Sequence, residues 1–345
     1  MSKTIDIGGR LVGEGQPPYI IAEACINHQG DVAIARRMVY VAHAMGCDAI
    51  KFQMHVLDDE MLRQAPQSAN FAEPLYDTLH KTNLSVPEHL ELKALCRQIG
   101  IDYLCTPFSK ASADLVAEVG VPAMKTGSGE LTNLPLQRHI ASKGVPMIVS
   151  TGMTTFDEVG ETVAALKATG IPFALTHCVS AYPCPYNRVN LGNIPRYAAA
   201  FGVPVGLSDH TVGIYTSIGA VALGACVIEK HFTLDRSWSG PDHASSIEPY
   251  ELGELVKGCR AVFEAGGANR DIFPEEREIV AWARETVVSV TDIAAGQRIT
   301  ADMVTVKRPS PGPGAVAAKH LDEVIGKTAT AAIARDRQLL WSEIA

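Results

Sequence analysis

The segment GVPAMKTGSGELTNLPLQRHIASKGVPMIVSTGM, residues 120–153, contains one complete strand–helix–strand unit. Two short apolar runs, VPAMKT and VPMIVS, flank the amphipathic stretch Leu136–Ser142. Short apolar runs favour buried strands, whereas the mixed stretch between them favours a helix. Each run follows a Gly and has Pro at its second position, which ends one helix and opens the next strand. The segment therefore predicts a βαβ unit with parallel strands.

The same unit recurs on both sides of this segment. Gly-Val-Pro or Gly-Ile-Pro turns occur at 120–122, 144–146, 170–172 and 202–204. Candidate strands begin near Tyr19, Asp48, Ile101, Val121, Val145, Pro172, Val203 and Ala225, and the last helix is predicted at Pro249–Phe263. Eight strands that alternate with eight helices favour a closed (β/α)8 barrel, the TIM-barrel fold. An open doubly wound sheet is the alternative, but no GxGxxG motif follows the first strand.

The pattern changes after Phe263, which predicts a second domain. We expect the barrel at residues 1–265, a charged linker at 266–284 and a small mixed-β domain at 285–345. The last domain contains two similar pieces, DIAAGQRITADMV and AIARDRQLLWSEI, which indicate a weak internal repeat. Within the barrel, Asp58–Thr82 is a long insertion after the second strand and a candidate lid.

Composition excludes several classes of protein. The chain has 345 residues, 47% of them hydrophobic, so it can bury a large core. Its net charge of −8 argues against nucleic-acid binding. The apolar runs are far shorter than the roughly 18–20 residues of a membrane span, and the N-terminus lacks the apolar region of a secretion signal. The eight Cys form no CxxC pair, which favours buried thiols in a reducing cytoplasm.

Polar side chains lie at the predicted carboxyl ends of the strands, where α/β barrels carry their active sites. Lys51 and Lys125 end the second and fourth strands, although lysine is rarely buried without a partner. Hydroxyls at or just after other strand ends come from Thr106, Ser128, Ser150 and Ser208. Two ammonium groups with neutral donors suit a phosphate and a carboxylate, so we predict an anion site. The alternative is one structural salt bridge for each lysine.

His210 and His231 end strands seven and eight, which predicts that both imidazoles face the same space. Two His without Cys partners do not complete a closed structural zinc site, so an open site for a divalent metal is the hypothesis. Asp209 and Glu229 are candidates to orient these ligands. Because the chain contains 11 His, a chance pairing is the alternative.

Carboxylates near the same strand ends are candidates for proton transfer. Glu23 and Glu130 follow the first and fourth strands, where either can move a proton or hold a sugar hydroxyl; ion pairing with the lysines is the alternative. Asp242, in GPDHASS, lies in the loop after strand eight and is equally typical of a turn. A lysine at a barrel strand end can also form a Schiff base when burial lowers its pKa, and Lys125 is the candidate.

Ten stretches spread over the strand ends and the C-terminal domain form one set. They are IAEACINHQGD, AIKFQ, CTPFS, MKTGSGELTNLPL, IVSTGM, HCVSAYPCPYNRVNL, GLSDHTVG, ALGACVIEKHFTLD, GPDHASSIEP and VKRP. Together they resemble the signatures of the sialic acid synthase (N-acetylneuraminate synthase) family, from near residue 5 to the end of the chain. The resemblance implies a (β/α)8 barrel followed by an antifreeze-like SAF domain, in a domain-swapped homodimer.

The resemblance also implies a reaction and a role for each residue. The family condenses phosphoenolpyruvate with an N-acylated hexosamine aldehyde, usually N-acetylmannosamine, using a divalent metal; Mn²⁺ is expected, with Mg²⁺ or Co²⁺ as alternatives. The implied phosphoenolpyruvate site is Lys51, Thr106, Lys125, Ser128, Ser150, Ser180 and Ser208, in which the two lysines set the approach geometry. The implied metal ligands are His210 and His231. The implied sugar contacts are Glu23, Tyr182, Asp242 and, from the other subunit, Arg308. Glu130 is the implied proton-transfer residue.

Three classes of function compete at this point. They are the synthase, a Schiff-base aldolase that acts on free pyruvate, and a non-catalytic binder of sugar or ice. Within the synthase class we consider three acceptors: N-acetylmannosamine, a diacetamido-trideoxyhexose leading to legionaminic or pseudaminic acid, and a 6-phosphorylated hexosamine. A phosphorylated acceptor predicts an additional basic contact, which the sequence pattern does not identify.

Overall fold

The computed structural model describes residues 3–64 and 73–345 of the 345-residue chain. The chain divides into two compact units, Met1–Gly267 and Ala268–Ala345. Residues 65–72 of the candidate lid Asp58–Thr82 lie outside the described residues. Within the described ranges, no helix is both long and apolar enough to cross a membrane.

The first unit is a closed barrel of eight parallel strands, as predicted. An antiparallel hairpin of β1 (Thr4–Ile7) and β2 (Arg10–Gly13) precedes it. The barrel strands are β3 (Tyr19–Glu23), β4 (Ala49–Met54), β5 (Asp102–Pro107), β6 (Met124–Thr126), β7 (Met147–Ser150), β8 (Phe173–Cys178), β9 (Val205–Asp209) and β10 (Val227–His231). Strand β10 pairs with β9 on one side and with β3 on the other, which closes the ring.

Helices separate the strands and surround the barrel. They are α1 (Val32–Ala44), α2 (Leu57–Glu60), α3 (Leu75–Thr82), α4 (Val86–Ile99), α5 (Lys110–Val119), α6 (Leu134–Ala141), α7 (Phe156–Thr169), α8 (Tyr186–Val189), α9 (Asn193–Phe201), α10 (Tyr215–Ala222) and α11 (Pro249–Ala265). Their ends follow local sequence signals. A capping box of Thr155 and Glu158 begins α7, and Gly170 ends it with φ 77°, a left-handed conformation that glycine adopts without strain.

Two layers of apolar side chains hold the barrel. The larger layer packs the outer faces of the strands against the helices. The smaller layer lies inside the amino-terminal end of the barrel, where Ile5, Ile7 and Val12 of the hairpin pack with Tyr19 and Leu104 of the strands. Apolar side chains thus fill the amino-terminal end of the barrel, and a polar cavity can form only at its carboxyl end, where the polar strand-end residues lie.

The second unit is small and mostly irregular, with one short antiparallel pair. It contains α12 (Arg277–Ala283), which lies in the segment predicted as a linker, followed by β11 (Thr286–Ser289), β12 (Val304–Lys307) and α13 (Leu321–Val324). Short 3₁₀ turns occur at His243–Ser245 in the first unit, and at Pro274–Glu276, Ala301–Met303, Ala318–His320 and Trp341–Glu343 in the second.

The two similar sequence pieces occupy equivalent places in this unit. Ile293 of the first piece pairs with Ile333 of the second through an antiparallel bridge. Three residues further along each piece, Gly296 and Asp336 both take positive φ, 81° and 60°. Each piece then ends in a 3₁₀ turn. The repeat therefore builds the core of this unit from both halves.

Candidate active site

A cavity of about 800 Å³ opens at the carboxyl end of the barrel strands. Thirteen of the predicted site residues line it: Glu23, Lys51, Thr106, Lys125, Ser128, Glu130, Ser150, Ser180, Tyr182, Ser208, His210, His231 and Asp242. Arg308 belongs to the second unit, where its guanidinium lies 5.4 Å from the centre of the Trp282 ring. The barrel therefore gathers residues that are separated by more than 200 positions in the sequence.

Alternation along the strands decides which strand-end side chains enter the cavity. Successive side chains of a strand point to opposite faces, so residues two apart share a face. Glu229 and His231 of β10 line the cavity, as do Ser208 of β9 and His210 just after it. Asp209 and Lys230, the residues between them, are absent from its lining and pair with each other.

Two lysines and two glutamates form a buried cluster of charges at the strand ends. The Lys51 ammonium pairs with Glu23, lies 3.3 Å from Glu229 Oε2 and donates to Thr106 Oγ1 at 3.1 Å. The Lys125 ammonium lies 3.7 Å from Glu229 Oε1. Glu229 thus lies between both lysines, and it also accepts a hydrogen bond from Ser208 Oγ at 2.9 Å. All four charged side chains are at most 5% exposed.

Burial and ion pairing act against each other in this cluster. Burial alone would raise the pKa of Glu229, but Lys125 and Lys51 hold it below its usual range. Burial lowers the pKa of Lys125, whereas the nearby carboxylates raise that of Lys51 despite its burial. Burial also raises the pKa of Glu23 to about 7. The cluster therefore has a residual positive charge whenever Glu23 is protonated, which favours an anionic ligand.

Hydroxyl groups form another part of the cavity lining. The Gly152 amide donates to Ser128 Oγ at 3.1 Å. A Cβ at Gly152 would lie 2.4 Å from Ser180 Oγ and 2.6 Å from Ser128 Oγ, so only glycine fits between these hydroxyls. Ser150 Oγ lies 3.4 Å from the Thr176 hydroxyl, which donates to it. These hydroxyls line the same cavity as the two lysines and can hydrogen-bond an anion.

Glu130 is a half-buried residue whose carboxyl group has one buried, unpaired oxygen. Its Oε2 has no hydrogen-bond partner among the described residues. Burial, with a smaller contribution from Glu60, raises the pKa of Glu130 to about 7. A Cβ at Gly127 would lie 2.3 Å from Glu130 Oε2, so the glycine in KTGSGE makes room for this carboxyl. A group that titrates near neutrality and faces a cavity suits proton transfer.

His210 and His231 are neighbours in the cavity, with ring centres 5.3 Å apart and ring planes at 62°. The Tyr182 ring packs over His210 at 4.0 Å and meets His231 edge-on at 5.7 Å. His210 Nδ1 lies 2.9 Å from the Val179 carbonyl, so it donates there and leaves Nε2 for a ligand. Burial and the neighbouring His210 lower the pKa of His231, which keeps its imidazole neutral.

This donor set fits a divalent cation. His231 Nδ1 is buried and has no hydrogen-bond partner among the described residues. The ligand atoms of Cys25, His231 and Asp242 all lie within 4.8 Å of one another. Neutral imidazoles and a carboxylate are common ligands of first-row divalent ions. His231 and Asp242, with His210 beside them, can therefore hold such an ion.

The expectation that Asp209 or Glu229 orients the imidazoles is wrong. Glu229 is engaged with the two lysines and Ser208. The Asp209 carboxylate instead lies 3.1 Å from the Lys230 ammonium. It accepts hydrogen bonds from the Thr211 amide in the loop after β9 and from Thr216 and Ser217 at the start of α10. Asp209 therefore ties the end of β9 to the next strand and helix, behind the cavity.

Sequence reasoning missed several residues of the cavity. Glu229 was expected beside the imidazoles and not between the lysines, although counting back two positions from His231 places it on the same face of the strand. Cys25 lies in the turn after β3 and carries no pattern that marks it. His55, which stacks on Phe108 at 4.4 Å and contacts Glu60 at 2.9 Å, lies beyond the end of β4. All of these line the cavity.

The fold and this site define a class of enzyme: a TIM barrel whose mouth holds a buried pair of lysines beside a pair of imidazoles. The chain belongs to the NeuB family, whose model matches residues 38–271. The SAF domain model matches residues 284–345, which confirms the predicted antifreeze-like domain at the C-terminus.

Relatives match nearly the whole chain. The N,N'-diacetyllegionaminic acid synthase of Legionella pneumophila is 36% identical over 344 residues, covering 96% of both chains. The N-acetylneuraminate-9-phosphate synthase of Homo sapiens is 37% identical over 310 residues, covering 88% of this chain and 86% of that one. The N-acetylneuraminic acid synthetase structure from Leptospira borgpetersenii has a TM-score of 0.72 at 33% identity, covering 81% and 96%. This protein is therefore a sialic acid synthase-like enzyme.

Proposed function

We propose that this enzyme is a nonulosonic acid synthase. It joins phosphoenolpyruvate to the open-chain aldehyde of an N-acylated hexosamine and releases phosphate. N-Acetylmannosamine is the leading candidate for the acceptor. One observation carries the proposal: Lys51 and Lys125 share the carboxylate of Glu229 inside the cavity that also holds His210 and His231.

Phosphoenolpyruvate carries a phosphate and a carboxylate, and the lysine cluster suits both. Lys51 and Lys125 supply two positive charges close together, and the hydroxyl-bearing side chains of Thr106, Ser128, Ser150, Ser180 and Ser208 supply neutral donors. Binding at this cluster would hold the phosphoenolpyruvate double bond in one orientation toward the aldehyde. This lowers the entropic cost of bringing the two reactants together. The two lysines are thus the catalytic residues that position the nucleophilic carbon.

The reaction balances as follows. The electron pair of the C2–C3 double bond of phosphoenolpyruvate forms a bond from C3 to the aldehyde carbon, and the aldehyde oxygen takes a proton. A water oxygen bonds to C2 and the water gives up one proton. The C2–O bond to phosphate then breaks, the electron pair leaves with the phosphate, and the hydroxyl proton of C2 is lost as the ketone forms. One water is consumed and one phosphate is released for each product.

Glu130 is the proposed proton carrier for these transfers. With a pKa of about 7, its carboxyl can either give a proton to the new hydroxyl or take one from the attacking water. Glu23, Tyr182 and Asp242 line the same cavity and are the proposed contacts for the hydroxyls of the acceptor. Burial also raises the pKa of Glu23 to about 7, so it can act as a hydrogen-bond donor to the sugar.

His210 and His231 are the proposed metal ligands. A bound divalent cation would supply Lewis-acid polarisation of the acceptor carbonyl. Mn²⁺ is the ion that the family resemblance favours, with Mg²⁺ and Co²⁺ as alternatives. The chain's own contribution is to hold the two imidazoles side by side next to Tyr182, with the pKa of His231 lowered by burial so that its ring stays neutral.

The test is phosphate release from phosphoenolpyruvate with Mn²⁺ and a panel of acylated hexosamines, with and without EDTA. We expect release with one class of acceptor and loss of release with EDTA. His210→Ala and His231→Ala should remove turnover while the protein stays folded by circular dichroism, whereas His43→Ala, at an exposed position on α1, should not. Full activity in either cavity variant, or no release with any sugar, would contradict the proposal.

A diacetamido-trideoxyhexose is the second candidate for the acceptor. Relatives at 36% and 38% identity are named N,N'-diacetyllegionaminic acid synthases, so this sugar belongs in the same panel. The Schiff-base alternative rests on Lys125, because burial lowers the pKa of its amine. Borohydride trapping with pyruvate separates the two chemistries: a covalent adduct on Lys125 would favour the aldolase.

The remaining proposals concern assembly and location. The resemblance favours a homodimer in which Arg308 of one copy binds the acyl or polar tail of the sugar held by the other. It also favours a cytoplasmic enzyme.

A further inference from the structure

Cys25 is a buried thiol in a turn at the edge of the cavity. It lies two residues after the end of β3, and its amide donates to Glu23 Oε1 at 2.9 Å. Its φ of 45° falls in the left-handed region that residues with a Cβ seldom adopt. A position that suits glycine is thus occupied by a residue that carries sulfur. Strain of this kind is often retained at functional sites.

The thiol faces a set of metal-competent groups. The Cys25 sulfur and the ligand atoms of His231 and Asp242 lie within 4.8 Å of one another, so small side-chain rotations bring all three around one ion. His231 is only 8% exposed, and its Nδ1 has no hydrogen-bond partner among the described residues. The ring of His210 lies next to His231. A buried, unpaired imidazole nitrogen beside a thiol and a carboxylate is an arrangement that a metal ion satisfies.

We propose that Cys25 is a sulfur ligand of the metal in addition to His210 and His231, with one oxygen of Asp242 on the metal and the other left for the acceptor. The site therefore takes a thiophilic ion such as Zn²⁺, Co²⁺ or Fe²⁺ ahead of Mn²⁺ or Mg²⁺. Thiolate selects softer ions, whereas all-oxygen and nitrogen–oxygen sites suit harder ones. The inference rests on the proposed function only in that both place a metal at His231. The thiol loses its proton to solvent when the metal–sulfur bond forms.

Cys178 is the rival sulfur in the same cavity. Its Sγ lies 3.7 Å from His210 Nδ1, but that nitrogen already lies 2.9 Å from the Val179 carbonyl. A metal on His210 would therefore bind at Nε2, and Cys178 adjoins the other nitrogen of the ring. Among the described residues, no carboxylate is grouped with Cys178 and His210 as Asp242 is grouped with Cys25 and His231. This makes Cys178 a matched control.

The experiment titrates the metal-free full-length protein with Co²⁺ under nitrogen and records the near-ultraviolet spectrum. A cobalt–thiolate bond gives a charge-transfer band that nitrogen and oxygen ligands do not give. We expect the band in the wild type and in Cys178→Ser, and its loss in Cys25→Ser and Cys25→Gly. Cys25→Gly is included because glycine suits the left-handed backbone, so loss of the band there is not explained by misfolding.

A second readout is competition between Zn²⁺ and Mn²⁺ by equilibrium dialysis. Loss of the sulfur should reduce the preference for Zn²⁺ over Mn²⁺ by at least about tenfold, with Cys178→Ser unchanged. A band that persists in both Cys25 variants, or is absent from the wild type, would overturn the proposal. Neither readout uses a substrate, so failure of every sugar in the turnover assay contradicts the proposed function and leaves this inference standing, and the reverse also holds.

Discussion

Glu229 is the residue on which the charge balance of the cavity depends. Its two carboxylate oxygens lie 3.3 Å from Lys51 and 3.7 Å from Lys125, and all three side chains are almost completely buried. A buried cation that loses its counter-ion keeps its desolvation cost without compensation. We therefore expect the stability of the barrel and the affinity of the proposed anion site to be linked at Glu229, since a bound anion would replace part of the negative charge that Glu229 supplies.

We predict that Glu229→Gln lowers the free energy of unfolding by about 3–5 kcal/mol in the absence of ligand, because it leaves Lys125 without a close carboxylate. Urea denaturation measures the change. Glu254→Gln is the matched control: its pair with Lys257 is at the surface, where a salt bridge contributes about 0–1 kcal/mol. Equal losses in the two variants would mean that the lysines are not held as buried cations.

Glu130 predicts a pH dependence of stability. Its pKa in the folded protein is raised to about 7 from an ordinary value near 4.5, mainly by burial. Below pH 4.5 the group is protonated whether the chain is folded or not, so stability is unaffected. Between 4.5 and 7 the unfolded chain ionises first, so stability falls as the pH rises, and above 7 the loss is complete.

Glu130→Gln removes this ionisation. We predict that the variant gains stability relative to the wild type as the pH rises from 4.5 to 7, by up to about 3 kcal/mol, while kcat falls by about 10²–10⁴. Denaturation at a series of pH values and steady-state kinetics measure the two effects. A constant difference in stability across this range would show that Glu130 is already ionised in the folded protein.

At the level of elements, the loop after each strand decides what the cavity can hold. The loop after β7 brings Gly152 against the hydroxyls of Ser128 and Ser180, with no space for a Cβ. Gly152 does not have a positive φ, so its backbone conformation does not require glycine. Glycine is required because the two serine hydroxyls approach its Cα so closely. The spacing of the hydroxyls is thus set by the backbone of a neighbouring loop.

Gly152→Ala tests this arrangement. An added methyl group must displace one or both hydroxyls, so we predict a rise in KM for phosphoenolpyruvate of about tenfold, the effect of about 1.4 kcal/mol, with a smaller change in KM for the sugar. Gly192→Ala is the control, since a Cβ there meets nothing within 4 Å. A variant with wild-type kinetics would mean that these hydroxyls do not contact the phosphate or carboxylate.

Element order and strand ends could be predicted because their signals are local. Apolar runs after Gly-X-Pro turns marked the strands, and Lys51 and Lys125 stood out because charged residues end apolar runs. Strand β6 begins at Met124, later than expected from Val121, because Pro122 has no N–H for the ladder. The place of Cys25 could not be predicted, since a turn with positive φ at a non-glycine residue leaves no periodic signal.

At the level of the whole molecule, two units with separate cores share one chain. The second unit builds its core from two equivalent sequence pieces bridged at Ile293 and Ile333. Arg308 immediately follows β12 of this unit, beside Trp282. A guanidinium held by an aromatic ring has less freedom to lose when it binds a sugar substituent.

The prediction at this scale is that Arg308 acts on the barrel of a second copy. Arg308→Ala and Lys125→Ala should each be nearly inactive at low sugar concentration, the first through a raised KM for the sugar and the second through lost phosphoenolpyruvate binding. If the arginine acts between copies, mixing the two variants under conditions that exchange subunits creates hybrids in which one site has both Lys125 and Arg308.

Activity should then recover in the mixture, as measured by phosphate release. If the arginine acts within its own chain, every site in the mixture lacks one of the two residues, and activity stays at the level of the separate variants. Recovery therefore requires both a dimer and an exchanged contact, which neither kinetic change alone would establish.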